Sequence, residues 1–272
     1  MATQADLRKR LRGIQNICKL AGAMRTVSSS KLARLNSAIY AFSAYAEGCR
    51  ELLLASGAVI SPAAGAEEKA LVVLLSGNRG LCGSYHSELF SFFHTLPEAA
   101  DAEIFTGGDM AATHLRDRGK PAAEEFRISD LPEYAQAEAL SDRILELYTS
   151  GKVNRVLFVY SESVNAMTQT PRCQELLPGE TKGERQDLLW LPDAATVQEG
   201  LADFCLRAQV YRLLLSSAMG VQGATLNSMR SAYDNGNKTA AELETAINRL
   251  RQNSVTASVI ETSSGRRPTG EG

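Results

Sequence analysis

The residue types that could do chemistry gather in one short stretch, Ser76-Gly77-Asn78-Arg79-Gly80-Leu81-Cys82-Gly83-Ser84, with His86 just beyond it. Backbone N–H groups in a glycine-rich turn that opens a helix can hold a phosphate. A phosphate loop, however, needs GxxxxGK[ST], and the dinucleotide fingerprint needs GxGxxG; the stretch spells neither, so it reads as a turn from strand into helix. Cys82, near Arg79 and His86, has the makings of an activated thiol, but burial as a small hydrophobe is the commoner fate of a cysteine. The three histidines are His86, His94 and His114, and no His/Asp/Glu cluster has the spacing of a metal centre or a triad. No catalytic residue, metal or cofactor is therefore assigned. This lack of chemistry favours a binding or mechanical role.

Composition narrows the class further. The chain has 272 residues, 44% hydrophobic and 22% charged, with a formal net charge of -2, which describes a soluble protein whose surface as a whole is not built for nucleic acid. Five cysteines (Cys18, Cys49, Cys82, Cys173, Cys205), an odd number without a CxxC pair, point to a reducing compartment. The start of the chain is charged from Asp6 to Arg12 and lacks a signal-peptide pattern, and no apolar run suits a bilayer. A cytoplasmic protein is expected. Local charge is less balanced. From Leu7 to Ala46 there are eight basic residues (Arg8, Lys9, Arg10, Arg12, Lys19, Arg25, Lys31, Arg34) and no Asp or Glu. A solvated helix face mixes both signs, so this arm calls for an acidic partner, either nucleic acid or protein. No aromatic residue precedes Tyr40 in the arm, which argues against base stacking.

The elements that carry these residues follow from proline. Seven of the eight prolines lie between Pro62 and Pro192, and the eighth is Pro268. Two proline-free arms therefore flank a proline-punctuated middle. In the first arm Leu7, Leu11, Ile14, Cys18, Ala21, Met24, Val27, Leu32, Leu35, Ile39 and Phe42 mark a helical seam. In the second, Leu206, Val210, Leu213, Ser217, Val221, Ala224, Met229, Ala232, Leu243, Ile247 and Leu250 do the same. Because the arms bracket one domain, they should pair antiparallel. If Ala55 stands opposite Ala194, paired numbers sum to about 249, Met24 faces Thr225, and the helix from about Leu250 to Glu261 outruns its partner by roughly 20 Å.

The middle changes period. Apolar runs at Ala70 to Leu75, Glu103 to Phe105, Val156 to Tyr160 and Leu188 to Leu191 alternate with helical stretches such as Tyr85 to Thr95 and Ala137 to Tyr148. The expected fold is α/β: a Rossmann-like α/β domain inserted between two long helices that form an antiparallel coiled coil. The boundaries expected are 1–58 for the first helix, 65–192 for the α/β domain, 193–264 for the second helix and 265–272 for a polar tail.

One family carries this pattern. The run from Ile14 to Lys31 (Ile14-Gln15-Asn16-Ile17-Cys18-Lys19-Leu20-Ala21-Gly22-Ala23-Met24-Arg25-Thr26-Val27-Ser28-Ser29-Ser30-Lys31) resembles the N-terminal signature of F-type ATP synthase gamma subunits. Ser76 to Gly83 is similar to that family's S-D-R-G-L-C-G. Tyr160-Ser161-Glu162, Gln169-Thr170-Pro171, Leu176-Leu177-Pro178, Gln209-Val210-Tyr211, Ala224 to Met229 and Arg251-Gln252-Asn253-Ser254-Val255-Thr256 fall on its later motifs in order. Asn78, His86, Val221 and Thr225 depart from it and mark a divergent member. Gly220, Gly223 and Gly236 cost the second helix about 1 kcal/mol each relative to Ala.

The resemblance implies a non-catalytic central-stalk rotor subunit. Its partners would be the alpha and beta subunits, the epsilon subunit and the membrane rotor ring of c subunits, with no nucleic acid and no small-molecule substrate of its own. It would lie peripherally on the cytoplasmic face of a bacterial inner membrane. Partner contacts are expected at Lys19, Met24, Arg25, Lys31, Arg251, Gln252 and Thr256. The competing readings are a basic coiled-coil nucleic-acid-binding protein and a nucleotide-binding α/β enzyme using the glycine-rich loop.

Overall fold

The computed structural model describes residues 3–56, 60, 62, 68–165, 168–178 and 193–264. Helix α1 (Gln4–Ser56) is followed by β1 (Ala70–Leu75), α2 (Tyr85–Thr95), β2 (Glu103–Gly107), α3 (Asp109–Asp117) and β3 (Glu124–Phe126). Then come α4 (Tyr134–Thr149), β4 (Arg155–Ser163), β5 (Gln169–Leu177) and α5 (Ala194–Ser264). The α/β fold class with two long flanking helices is the one expected. The strand expected at Leu188 to Leu191 and the tail from 265 lie outside the described residues. Each long helix begins on a side-chain cap. The Thr3 hydroxyl oxygen accepts from the Asp6 N–H while the Thr3 N–H donates to the Asp6 carboxylate, and Asp193 accepts from the N–H and hydroxyl of Thr196.

Internal contacts divide the chain into two units, Val27–Ser228 and the described residues of Met1–Thr26 with Met229–Gly272. The first unit holds a five-stranded sheet of order β3-β2-β1-β4-β5. β1 pairs parallel to β2 (Val73 with Phe105) and to β4 (Val73 with Phe158), β2 pairs parallel to β3, and β5 runs antiparallel to β4. β1 is buried along nearly its whole length, as a central parallel strand covered on both faces must be. Its alternate residues feed two cores. Leu71, Val73 and Leu75 pack with Leu140, Ile144 and Tyr148 of α4 and with Leu206, Val210, Leu213 and Leu214 of α5. Val72 and Leu74 face α2 and α3 and meet Val221 and Ala224 of α5. α5 therefore serves both faces of the sheet, and each fully buried Leu or Val contributes about 1.5–3 kcal/mol.

The crossing takes place at the carboxyl ends of β1 and β4. A Cβ at Gly220 would stand 2.6 Å from the Ser161 carbonyl oxygen and 3.3 Å from the Tyr85 ring. The glycine that weakens α5 as a helix is thus what lets it touch the strand end. In the same unit α1 pairs antiparallel with α5: the Gln198 side-chain amide donates to the Ser56 carbonyl, the Cys205 thiol to that of Cys49, and the Gln209 amide to that of Ala46.

In the second unit Gly236 makes room for Cys18, whose sulfur would lie 2.4 Å from a Cβ there, and Gly22 sits 3.4 Å from the Tyr233 ring on the same measure. Paired numbers thus sum to 254 or 255 in each unit, not 249, and Met24 comes opposite Arg230 or Ser231, not Thr225. The expected register is off by five or six residues because Ala55 and Ala194 are not level: α5 runs more than a turn, to Gln198, before it meets Ser56. The seam also differs at one point. Ser28 is buried while Val27 is 54% exposed, since the three- and four-residue alternation from Ala21 lands on 28, about 100° around the helix from 27. Along α5, residues 248–260 are exposed.

Two glycine substitutions separate close approach from helix propensity. Gly48→Ala, in α1 with open space around it, should stabilise the chain by about 0.5–1 kcal/mol. Gly220→Ala should destabilise it by about 1–3 kcal/mol, as measured by urea denaturation.

Candidate partner-binding site

The glycine-rich loop forms a closed web of hydrogen bonds. Its path turns on Leu81 and Gly83, both at positive φ (67° and 62°). The Asn78 side-chain amide donates to the Ile128 carbonyl (2.8 Å) and to Asp130 (3.3 Å), and its oxygen accepts from the Asp109 N–H. The Ser76 hydroxyl accepts from the Ala111 N–H at 2.9 Å. The Gly77 N–H, which a phosphate would need, donates instead to His86 Nε2 at 3.1 Å. Beside the loop, where α/β folds hold ligands at the carboxyl ends of their strands, α5 fills the crevice. What remains between Gly77, Asp130, Ser217 and Val221 is a cavity of ≈ 20 Å³, room for about one water.

Cys82 and His86 meet inside this web, with the sulfur 3.1 Å from Nδ1. Because Nε2 accepts from a backbone N–H, the ring proton must sit on Nδ1, so the imidazole cannot take the thiol proton. Burial pushes the Cys82 thiol up and holds His86 down at about 4. The pair is arranged to brace the turn, not to activate sulfur.

Of the residues expected to meet partners, Lys31 borders this loop, because its partner Asp130 also accepts from Asn78. Lys19 is exposed, and Met24 and Arg25 are half-buried, with the Arg25 guanidinium 4.8 Å from the Tyr233 ring centre. Lys31 is held within the chain by an ion pair to Asp130 at 2.5 Å. Burial alone would raise the Asp130 carboxyl, but the hydrogen bond and charge of Lys31, with Asn78 and Arg79, hold it below the usual range. Among the described residues Lys31 is the one member of the eight-cation arm with a carboxylate partner. Arg251, Gln252 and Thr256 are exposed near the end of α5. Gln252 and Thr256 share a face at i,i+4, and the Thr256 hydroxyl donates to the Gln252 carbonyl at 2.9 Å. Val255, Val259 and Ile260 around them are exposed by 57%, 60% and 61%.

Sequence reasoning missed Ile17 and Leu20, which are 55% and 59% exposed beside Lys19. Their signal was a second apolar row (Ile17, Leu20, Met24, Val27) at helical spacing beside the seam. Large apolar side chains bare on two long helices, beside cations that lack a carboxylate partner among the described residues, mark surfaces for other chains.

A family model described as ATP synthase matches residues 3–267. The chain belongs to the ATP synthase family. Within this family it resembles gamma chains along nearly its whole length. It is 29% identical to the ATP synthase gamma chain of Desulfitobacterium hafniense over 96% of this chain and 97% of that one. It is 28% identical to that of Desulforamulus reducens, with the same shares covered. Among solved structures, a chain of the Euglena gracilis mitochondrial ATP synthase OSCP/F1/c-ring assembly aligns with a TM-score of 0.70 at 16% identity, covering 96% of this chain and 93% of that one. A chain of the Tetrahymena thermophila central stalk/c-ring structure aligns at 0.61 and 19% identity, covering 78% and 99%. At these identities the structural matches speak for the fold.

His86 makes the loop a source of acid sensitivity. The unfolded chain takes up a proton near pH 6.5 and the folded one only near 4, so stability is fully present above 6.5 and falls as pH drops toward 4. Urea unfolding at pH 5 should show a loss of about 2 kcal/mol relative to pH 7. His86→Asn should remove most of that difference.

Proposed function

We infer that the chain is the central-stalk rotor subunit of an F-type ATP synthase, coupling rotation of a membrane ring of c subunits to ATP synthesis or hydrolysis in the alpha/beta head. The observation that carries this reading is the gamma-chain resemblance over 96% of the chain, joined to an α5 end that is continuous helix with no cover among the described residues. A helix with exposed valines and isoleucine on one face needs a surrounding surface, and the ring of alpha and beta subunits supplies a sleeve. Acidic loops of the beta subunits answer the cations from Arg8 to Arg34. Lys19, Met24 and Arg25 on α1, and Arg251, Gln252 and Thr256 on α5, are the contacts assigned to that head; Lys31 joins them through the face it leaves open beside Asp130. The α/β domain meets the epsilon subunit and the c ring.

The subunit itself is not an enzyme. The Gly77 N–H is spent on His86, no residue set for Mg²⁺ or an attacking water is assembled among the described residues, and the strand-end crevice is filled by α5. No described helix is long and apolar enough to cross a membrane, which suits a peripheral place on the cytoplasmic face of a bacterial inner membrane.

Four measurements test this. The purified chain should hydrolyse no ATP, whereas turnover free of beta subunit would overturn the non-catalytic reading. In the assembled complex, Gln252→Ala with Thr256→Ala should lower ATP-driven rotation or synthesis severalfold while the isolated chain keeps its helix content. Unchanged coupling would remove these two residues from the interface. Failure of the chain to co-purify with alpha and beta subunits would reject the assignment, and salt-sensitive DNA binding in its place would favour the nucleic-acid reading.

A further inference from the structure

We propose that His94 and His114 form a two-imidazole binding site for a late first-row divalent cation of the copper, nickel or zinc class. His94 lies in the last turn of α2 and His114 in α3, twenty residues apart in sequence, yet their Nε2 atoms stand 3.0 Å from each other. Two imidazole nitrogens about 2.0–2.1 Å from one cation, and about 90–110° apart at it, are separated by about 2.8–3.4 Å. The observed spacing therefore lies within that range, and the rings need only turn so that both Nε2 lone pairs meet at the cation instead of one N–H pointing at the other nitrogen.

The rings are also held in place. His114 stacks on Phe90 with centroids 4.0 Å apart and planes at 18°, and His94 packs edge-on against Phe93 at 5.2 Å. Aromatic contacts of this kind fix the two orientations before any ligand arrives, which lowers the cost of binding. His94 is exposed and His114 half-buried, so the cation's remaining positions open to water. Asp117, one turn beyond His114 on α3, brings a negative charge near His114 but does not complete a three-ligand group among the described residues.

The protonation balance is simple. In the free chain one Nε2–H donates to the other Nε2. On binding, that imidazole's single proton moves from Nε2 to Nδ1 and both Nε2 lone pairs face the cation, with no net proton released. Burial, then Arg118 and other nearby cations, hold both imidazoles below their usual range, so the neutral form that ligates is the one present at neutral pH. Arg118 and Lys120 also repel a dication, and Asp117 offsets part of that repulsion. The site joins the end of α2 to α3 across the outer side of the sheet's second core.

The test uses the full chain without a histidine tag, in a Cys173→Ser background that removes its exposed thiol, titrated with Zn²⁺ alone. Calorimetry should show one saturable site, and ¹⁵N imidazole spectra should report ligation at His94 and His114 and not at His86. The melting temperature should rise with Zn²⁺ concentration, since the ion binds the folded chain. His94→Gln, an exposed change expected to leave the metal-free melt unchanged, should weaken binding at least about tenfold, and adding His114→Gln should abolish it. No saturable binding by the parent chain, or equal affinity in the double variant, would overturn the site.

Discussion

The close approach of α5 to the carboxyl edge of the sheet is the contact on which the larger unit depends. At Gly220 the helix touches the Ser161 carbonyl where any side chain would collide. Because of that approach one helix supplies Leu206 to Leu214 to the core on one face and Val221 and Ala224 to the core on the other. It also occupies the place where an open α/β sheet would bind a ligand. A fold common among nucleotide enzymes has here given its cleft to a helix, and in the loop beside it Ser76, Gly77 and Asn78 are bonded inward to Ala111, His86 and Ile128. Packing, rather than a missing catalytic group alone, is why the domain reads as a platform.

The two long helices pose a different physical problem. Their seam is made of small or short residues such as Ala21, Ser28, Ala46 and Gly236, which allows close pairing but buries little apolar area per turn. Meanwhile Ile17, Leu20, Val255 and Val259 remain in water and the arm's cations repel one another. Each of these terms favours an assembled state over the isolated chain. The features that look costly in the chain alone are those a partner would relieve.

Much of this was legible in the residues. Proline placement marked the two arms, apolar runs marked β1, β2 and β4, and α2 was read to its ends. Three elements were not. β5 carries Pro171 and alternates polar with apolar poorly, and β3 has three residues, too short for any periodicity. α3 is nine residues after a glycine at φ 101°. The register slipped because the point where α5 meets Ser56 is set by packing on the sheet, not by counting. At the candidate surfaces, Gln252 and Thr256 came from a resemblance. The pairing of Lys31 with Asp130, 99 residues away, and of His94 with His114 are tertiary facts with no local signal.

The same helix that completes the sheet comes after all five strands in the chain. During synthesis the strands from Ala70 to Leu177 emerge first, with Leu71, Val73, Val156 and Phe158 lacking their α5 partners. The domain cannot close its cores until residues near Leu206 and then Val221 have left the ribosome, so its final folding waits on residues well downstream of the last strand. A chain truncated before Gly220 would hold a finished sheet with an open apolar edge, the kind of surface that chaperones and proteases recognise.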